Sequence, residues 1–133
     1  MTRNRGFVLH PEAARDLTEI WEYIAADNVA AASRFRASIL ETIRKLAIFP
    51  NQGHLRPDLA STGVRFHAVG EYLIAYAPAE DPLLVLAVVH GRRNPRIVAA
   101  LLRSQGRESA ILQAGLPGHP GELLHRLVLT SSS

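Results

Sequence analysis

A cluster of basic side chains follows the most apolar segment of this 133-residue chain. The apolar run LLVLAVV, which begins at Leu83, leads directly into HGRRNPR. A buried strand that ends in guanidinium groups builds a rigid cationic surface, and such a surface binds carboxylates or phosphates. Plain solvation of the arginines beside a core strand is the alternative. Residues 82–107 contain no acidic residue and five arginines, namely Arg92, Arg93, Arg96, Arg103 and Arg107.

One constellation has the composition of a site that cleaves phosphodiesters. Arginine binds a phosphate and histidine moves a proton, and both are needed for RNA cleavage. However, no lysine follows Lys45 and no tyrosine follows Tyr76, so few other groups are available for this reaction. We therefore favour a docking surface, with His90 ending its strand, over catalysis. The side chains that come close together if the strands pair in chain order are Arg65, His67, His90, Arg92 and Arg93.

The motifs of several enzyme classes are absent from the sequence. It contains no Gly-x-x-x-x-Gly-Lys phosphate loop and no Gly-x-Ser-x-Gly nucleophile motif. The six histidines include no pair at HExxH spacing, and no cysteine is present to form a disulfide or a thiolate site. We expect neither a metal nor a cofactor. Tyr72 and Tyr76 share one strand face without alternating basic residues, which indicates packing rather than a nucleic-acid stacking platform.

The charge of the chain is unevenly distributed. Residues 1–81 contain nine basic and ten acidic side chains, whereas residues 82–133 contain six and two. This asymmetry favours an anionic macromolecule as the partner of the later part. Direct nucleic-acid binding is the less favoured partner, because net charge alone does not establish it. The N-terminus lacks the apolar core of a secretory signal and no apolar run could span a bilayer, so we expect a cytoplasmic protein without membrane attachment.

Apolar spacing and capping residues predict a domain of the α+β class. Two amphipathic helices joined by a very short connection form an antiparallel hairpin. Three later strands with short connections form an antiparallel meander, and the last of them is apolar on both faces, so it should lie inside the sheet. The predicted elements are, in chain order, strand 6–10, helix 11–27, helix 29–48, strands 64–69, 72–76 and 83–90, and a short third helix over 96–104.

The hairpin is predicted to bury one face on a small, mostly antiparallel sheet. Burial of each large apolar side chain contributes on the order of 1.5–3 kcal/mol before conformational entropy is subtracted. Charged side chains away from this face, such as Asp16, Arg34 and Arg36, are expected to face water. The expected contact set is Leu17, Ile20, Trp21, Ile24, Phe35, Ile39 and Ile43 on the helices and Tyr72, Ile74, Val85, Ala87 and Val89 on the sheet.

Five segments are informative because of their order along the chain: PEAARDLTEIWEYIA, RF…I…I..LA..P..G, DLASTGVR, GEYLIAY and VLAVVHGRRN. Together with the order of strand, helical hairpin and meander, they resemble the RelE/ParE family of type II toxin–antitoxin toxins. The resemblance covers about residues 6–102. It implies the hairpin-on-sheet fold of these toxins and a bacterial plasmid-stabilisation function.

The resemblance is closer to the ParE branch of this family. In the ribosome-dependent nucleases an arginine that serves cleavage stands at the position of Leu73, and a leucine cannot hold the scissile phosphate. The HGRR ending of the last strand is similar to ParE. The resemblance therefore implies an inhibitor of DNA gyrase rather than an enzyme, neutralised by a co-encoded antitoxin that wraps the toxin. Two alternatives stay open: a RelE-type RNA endonuclease that uses Arg65 and His90, and a non-toxic remnant that only binds an antitoxin.

The antitoxin segment is expected to fold onto the toxin beside the hairpin and the sheet edge, with its acids on the basic surface. Arginine suits this role because its planar fork binds a carboxylate through two parallel hydrogen bonds. The toxin domain is predicted over residues 1–104, and residues 105–133 form an atypical C-terminal extension that the resemblance does not cover. The predicted antitoxin- or target-binding residues are Arg65, His90, Arg92, Arg93 and Arg96.

Overall fold

The helices and strands begin and end within two residues of the predicted bounds. The computed structural model describes residues 6–60, 63–104 and 107. These residues form an α+β fold with a mixed four-stranded sheet, which confirms the predicted fold class. The elements are β1 (Phe7–Leu9), α1 (Pro11–Ala25), α2 (Val29–Ile48), a 3-10 turn (Pro50–Gln52), β2 (Arg65–Val69), β3 (Tyr72–Ala77), β4 (Leu83–His90) and α3 (Pro95–Ser104).

Each helix of the hairpin begins at a side chain that accepts a hydrogen bond from the first turn. At the start of α1, His10 Nδ1 accepts from the Glu12 amide at 3.0 Å, and the first helical position is a proline, which has no amide hydrogen to satisfy. At the start of α2, Asn28 Oδ1 accepts from the Ala31 amide at 2.9 Å. None of the described helices is long and apolar enough to cross a membrane.

Strand β4 lies inside the sheet, as its apolar character on both faces predicts. The strand order is β1-β4-β3-β2, in which β1 is parallel to β4 and the other neighbours are antiparallel. Every residue of β4 before His90 is buried. At one end of the sheet Tyr72 of β3 pairs with both His90 and Val69. The residues that follow β4 therefore leave the sheet from a buried strand that stays paired with β3 up to His90.

The sheet carries an apolar layer on each of its faces. The hairpin covers one face, where Ile39 and Ile43 of α2 are fully buried in a cluster that includes Ile74 of β3. Helix α3 and the segment before β2 cover the other face, through Leu102 and Leu59 among others. Both faces are therefore dry, which explains why β4 shows no polar alternation.

A β-bulge in β4 changes which side chains face the hairpin. The pairing of β4 with β3 shifts register by one residue near the middle of the strand. As a result Val85 and Val88, three positions apart, both pack in the hairpin layer. Ala87 and Val89 lie in the opposite layer. The prediction that these two face the hairpin is wrong, because it assumed unbroken alternation along the strand.

Trp21 of α1 does not belong to the core that the hairpin forms with the sheet. It is only partly buried, as is Ile24, whereas Leu17 is buried and Ile20 packs against the hairpin layer. Consecutive residues on an α-helix point about 100° apart, and here Ile20 takes the side toward the sheet while Trp21 lies at the margin of the buried face. The prediction that Trp21 belongs to the contact between the hairpin and the sheet is therefore wrong. The prediction that Phe35 contacts the sheet is confirmed, since its ring centroid lies 5.0 Å from that of Tyr72.

Candidate functional site

The segment from His90 to Arg96, here called the basic turn, links β4 to α3 in a fixed conformation. The Gly91 amide donates to the Glu71 carbonyl at 2.7 Å, and the Arg92 amide donates to His90 Nδ1 at 3.1 Å. Asn94 Oδ1 accepts from the Arg96 amide at 2.9 Å at the start of α3. These bonds involve the backbone of the turn, so its guanidinium groups project from an ordered support.

The guanidinium groups of the basic turn are available to a partner. Arg92, Arg93 and Arg96 are all exposed. Among the residues that the structure describes, none of the three has an acidic neighbour within ion-pair distance. Three cations without internal counter-ions attract carboxylates or phosphates. The structure thus places three of the five predicted binding residues together, with His90 at their base.

A cleft of about 240 Å³ adjoins the basic turn between α1 and β4. On its sheet side the rings of Tyr72 and His90 meet edge to face, with centroids 5.2 Å apart. Burial, together with the nearby Glu71 and Tyr23, raises the pKa of Tyr72, so its phenol stays protonated at neutral pH. The lining residues are Asp16, Glu19, Ile20, Tyr23, Tyr72, Val88, Val89, His90 and Arg93.

Arg65 lies away from the basic turn, at the other end of the meander. It pairs with Tyr76, whereas His90 pairs with Tyr72 four residues earlier on β3. Its guanidinium donates to the Gly53 carbonyl at 2.7 Å. The expectation that Arg65 and His90 come close together is wrong, because the strand register separates them.

The turn after α2 explains why Arg65 is held in that place. The Tyr76 hydroxyl donates to the Pro50 carbonyl at 2.6 Å and accepts from the Gly53 amide at 2.9 Å. A Cβ atom on Gly53 would lie 2.5 Å from this hydroxyl oxygen, so only glycine fits. Arg65 adds a third hydrogen bond to the same turn, which indicates a structural role for its guanidinium.

Two adjoining cavities of about 450 and 480 Å³ run along the hairpin, and both are lined by Trp21 and Arg36. We call them the hairpin groove. Buried Arg44 Nε at one end of it has no hydrogen-bond partner. The sequence pattern gives no separate signal for this groove, because Trp21 falls within the apolar stripe of α1 that predicts a contact with the sheet. The other lining residues are Leu9, Ala14, Leu17, Thr18, Ser33, Ala37, Leu40, Glu41 and Arg44.

Asp16 and Arg107 form a largely buried ion pair, although the sequence pattern predicts that Asp16 faces water and that Arg107 is either solvated or part of the cationic surface. Arg107 donates to the two carboxylate oxygens of Asp16 at 2.6 and 3.3 Å, and the two side chains are 3% and 15% exposed respectively. Asp16 also accepts from the Val88 amide at 3.0 Å. Burial raises the pKa of Asp16, and the hydrogen bonds from Arg107 and Val88 oppose that rise.

His10 is a second buried polar side chain near this pair. Its ring is neutral in the fold, because Nδ1 must accept the hydrogen bond from Glu12. Burial lowers the pKa of His10, and the nearby Arg107 cation lowers it further. Protonation removes the acceptor and adds a cation beside Arg107, so acid should weaken the start of α1.

We expect the contribution of His10 to stability to fall as the pH drops below about 6.5. The pKa is lower in the fold than in the unfolded chain, so between the two values the unfolded state binds more protons. The free energy of unfolding therefore rises with pH there, by at most about 1.4 kcal/mol per pH unit for this group. Urea unfolding of the wild type and His10→Asn across this range tests it, because asparagine caps without titrating. A difference between them that does not shrink in acid contradicts it.

The described residues were searched for a metal site, and the sequence was compared with known protein families. In the described residues no group of three or more His, Asp or Glu side chains is arranged to hold a metal ion. A family model described as the ParE toxin of the type II toxin–antitoxin system, parDE, matches residues 7–95. No curated protein matches this chain. The match extends from β1 to the first residue of α3, and Arg96 and Arg107 lie beyond it.

Proposed function

This chain belongs to the ParE toxin family of type II toxin–antitoxin systems, and from that membership we propose that it inhibits DNA gyrase and is neutralised by a co-encoded antitoxin. The observation that carries the choice of gyrase over RNA is the strand register. It puts Arg65 and His90 at opposite ends of the meander, so the two groups needed for phosphodiester cleavage do not share a site.

The position of Leu73 supports the same choice. This residue occupies the place where the resembling nucleases carry an arginine, and its side chain packs on the α3 side of the sheet. His90 lies on the hairpin side, against Tyr72. Even an arginine at position 73 would therefore start from the face opposite to His90. We take the exposed arginines of the basic turn to be contacts rather than catalysts.

The antitoxin is proposed to use two surfaces of the toxin. Its acidic side chains bind the basic turn, where Arg92 and Arg93 have no counter-ion in the described chain. Its apolar side chains fill the hairpin groove around Trp21. His90 and Arg96 complete the contact set at the basic turn. Arg65, which is partly exposed at the other end of the meander, is proposed as a separate contact.

Induction of the chain in a bacterium tests the proposed function. We expect growth arrest with loss of DNA supercoiling, while mRNA stays intact over the same period. Co-expression of the antitoxin should restore growth, and a chain truncated before β4 serves as the inactive control. Rapid mRNA cleavage at normal supercoiling would establish the RelE-type alternative. Absence of any growth arrest would identify a remnant that only binds its antitoxin.

A further inference from the structure

One edge of β4 loses its neighbouring strand halfway along. Strand β1 pairs with β4 only from Leu83 to Val85, and then the chain turns away into α1. The His10 amide makes the last backbone bond, to the Val85 carbonyl at 2.8 Å. In the described part of the chain no strand continues along this edge. Backbone groups beyond Val85 on this side must therefore find other partners.

The Asp16–Arg107 pair supplies those partners at the β-bulge. Asp16 accepts from the Val88 amide at 3.0 Å, and Arg107 donates to the Leu86 carbonyl at 3.4 Å. Ala75 pairs with Ala87 and Tyr76 pairs with Val85, so Leu86 is the extra residue of the bulge. One ion pair thus bonds the carbonyl of the bulge residue and the amide two positions later, and takes the place of the missing strand.

The bulge decides on which face of the sheet His90 lies. Because of the extra residue, Val85 and Val88 share the hairpin face, and His90, two residues further, meets Tyr72 there. Without the bulge, regular alternation from Val85 would put Ala87 and Val89 on the hairpin face and His90 on the other. The bulge therefore fixes the contact between His90 and Tyr72 and the direction in which the basic turn begins.

We propose that the Asp16–Arg107 pair is a positioning device that holds the β4 bulge and thereby places His90 and the basic turn. Arg107 becomes part of the functional site although it lies outside the residues that the family model matches. Its geometry explains the choice of residue, since a planar guanidinium bonds both carboxylate oxygens and a carbonyl at once. The link to binding rests on the proposed function, but the link to His90 does not.

Arg107→Lys is the sharpest variant, because it keeps the charge and loses the fork. We expect the nuclear Overhauser contact between the His90 and Tyr72 rings to fall to less than half of its wild-type intensity. The measurement uses the full chain at a temperature where the variant remains folded. Arg103→Lys, a change of the same type on the exposed side of α3, is the matched control and should leave this contact unchanged.

Amide hydrogen exchange gives a second readout, in a variant that leaves Arg107 itself unchanged. In Asp16→Ala the Val88 amide loses its acceptor, so its exchange rate should rise at least about tenfold relative to that of Ile74 in β3. The ratio removes any change in global stability, and the variant serves also if Arg107→Lys fails to fold. Retention of the His90–Tyr72 contact and of the exchange ratio, with only a lower melting temperature, would overturn the proposal. Neither readout uses antitoxin or gyrase, so failure of the proposed function remains a separate result.

Discussion

The Arg92→Ala/Arg93→Ala double variant is expected to bind the antitoxin far more weakly than the wild type. Loss of a well-desolvated charge pair costs roughly 2–5 kcal/mol, since the carboxylate left behind is buried without a partner. Both arginines are exposed in the free toxin, on a turn whose backbone is fixed by hydrogen bonds, so binding needs ordering of the side chains but little ordering of the backbone. Their removal should leave the stability of the toxin nearly unchanged, because they make no internal ion pair in the described chain.

The matched control is Arg34→Ala/Arg103→Ala, which removes the same charge from exposed positions outside both proposed surfaces. Arg36 lies near Arg34 on the same helix, but it is unsuitable as a control position because it lines the hairpin groove. Exposed pairs contribute under about 1 kcal/mol, so the control should bind almost normally. Calorimetry at two salt concentrations should also show a smaller salt dependence for Arg92→Ala/Arg93→Ala. Equal losses in the two double variants would mean that the interface lies elsewhere.

Trp21→Ala should produce the second large loss of antitoxin affinity. Large aromatic residues at the centre of an interface typically contribute about 2–4 kcal/mol to binding. Trp21 is partly exposed and lines both cavities of the hairpin groove, so its indole offers apolar surface that the fold itself does not use. The free energy of unfolding should change much less than the binding free energy, because Trp21 is not part of the buried cluster between the hairpin and the sheet.

Phe49→Ala is the control for this prediction. Phe49 is also a large aromatic residue, 59% exposed, and it follows α2 outside the groove. Both variants are titrated with the antitoxin in the same calorimetric experiment, and both are unfolded in urea. A loss for Phe49→Ala as large as that for Trp21→Ala would assign the effect to general surface hydrophobicity. A large fall in the free energy of unfolding of Trp21→Ala would show that the indole belongs to the core instead.

Local patterns predicted the elements well where the chain carries strong periodic signals. Helix α2 and strand β4 have the predicted bounds, since α2 follows a capping asparagine and β4 is a continuous apolar run. The bulge within β4 had no such signal. All its residues before His90 are apolar, so no alternation of polar and apolar side chains reveals a shift of one position within the strand. The faces of Ala87 and Val89 were therefore unpredictable from sequence.

The candidate site divides in the same way. The arginines of the basic turn are adjacent in sequence, so the sequence alone predicts a basic surface there, and the structure leaves these side chains exposed. Their role in binding stays a prediction. Asp16 and Arg107 are 91 positions apart, and each looks like an ordinary solvated charge in its own segment. Only the tertiary fold brings them together and buries them. The error for Arg65 is of another kind. The sequence predicts correctly that its strand belongs to the meander, but it does not predict the register, which separates Arg65 from His90.

The parallel pairing of β1 with β4 has a consequence for the synthesis of this toxin on the ribosome. Phe7 pairs with Leu83, so β1 can pair with its neighbour only after β4 has been synthesised. The apolar face of the hairpin waits as well, because its sheet layer contains Val85 and Val88. Domains with such long-range contacts fold late and expose apolar surface while they wait. The basic turn emerges after β4, so the proposed binding surface and the native core form at the same late stage of synthesis.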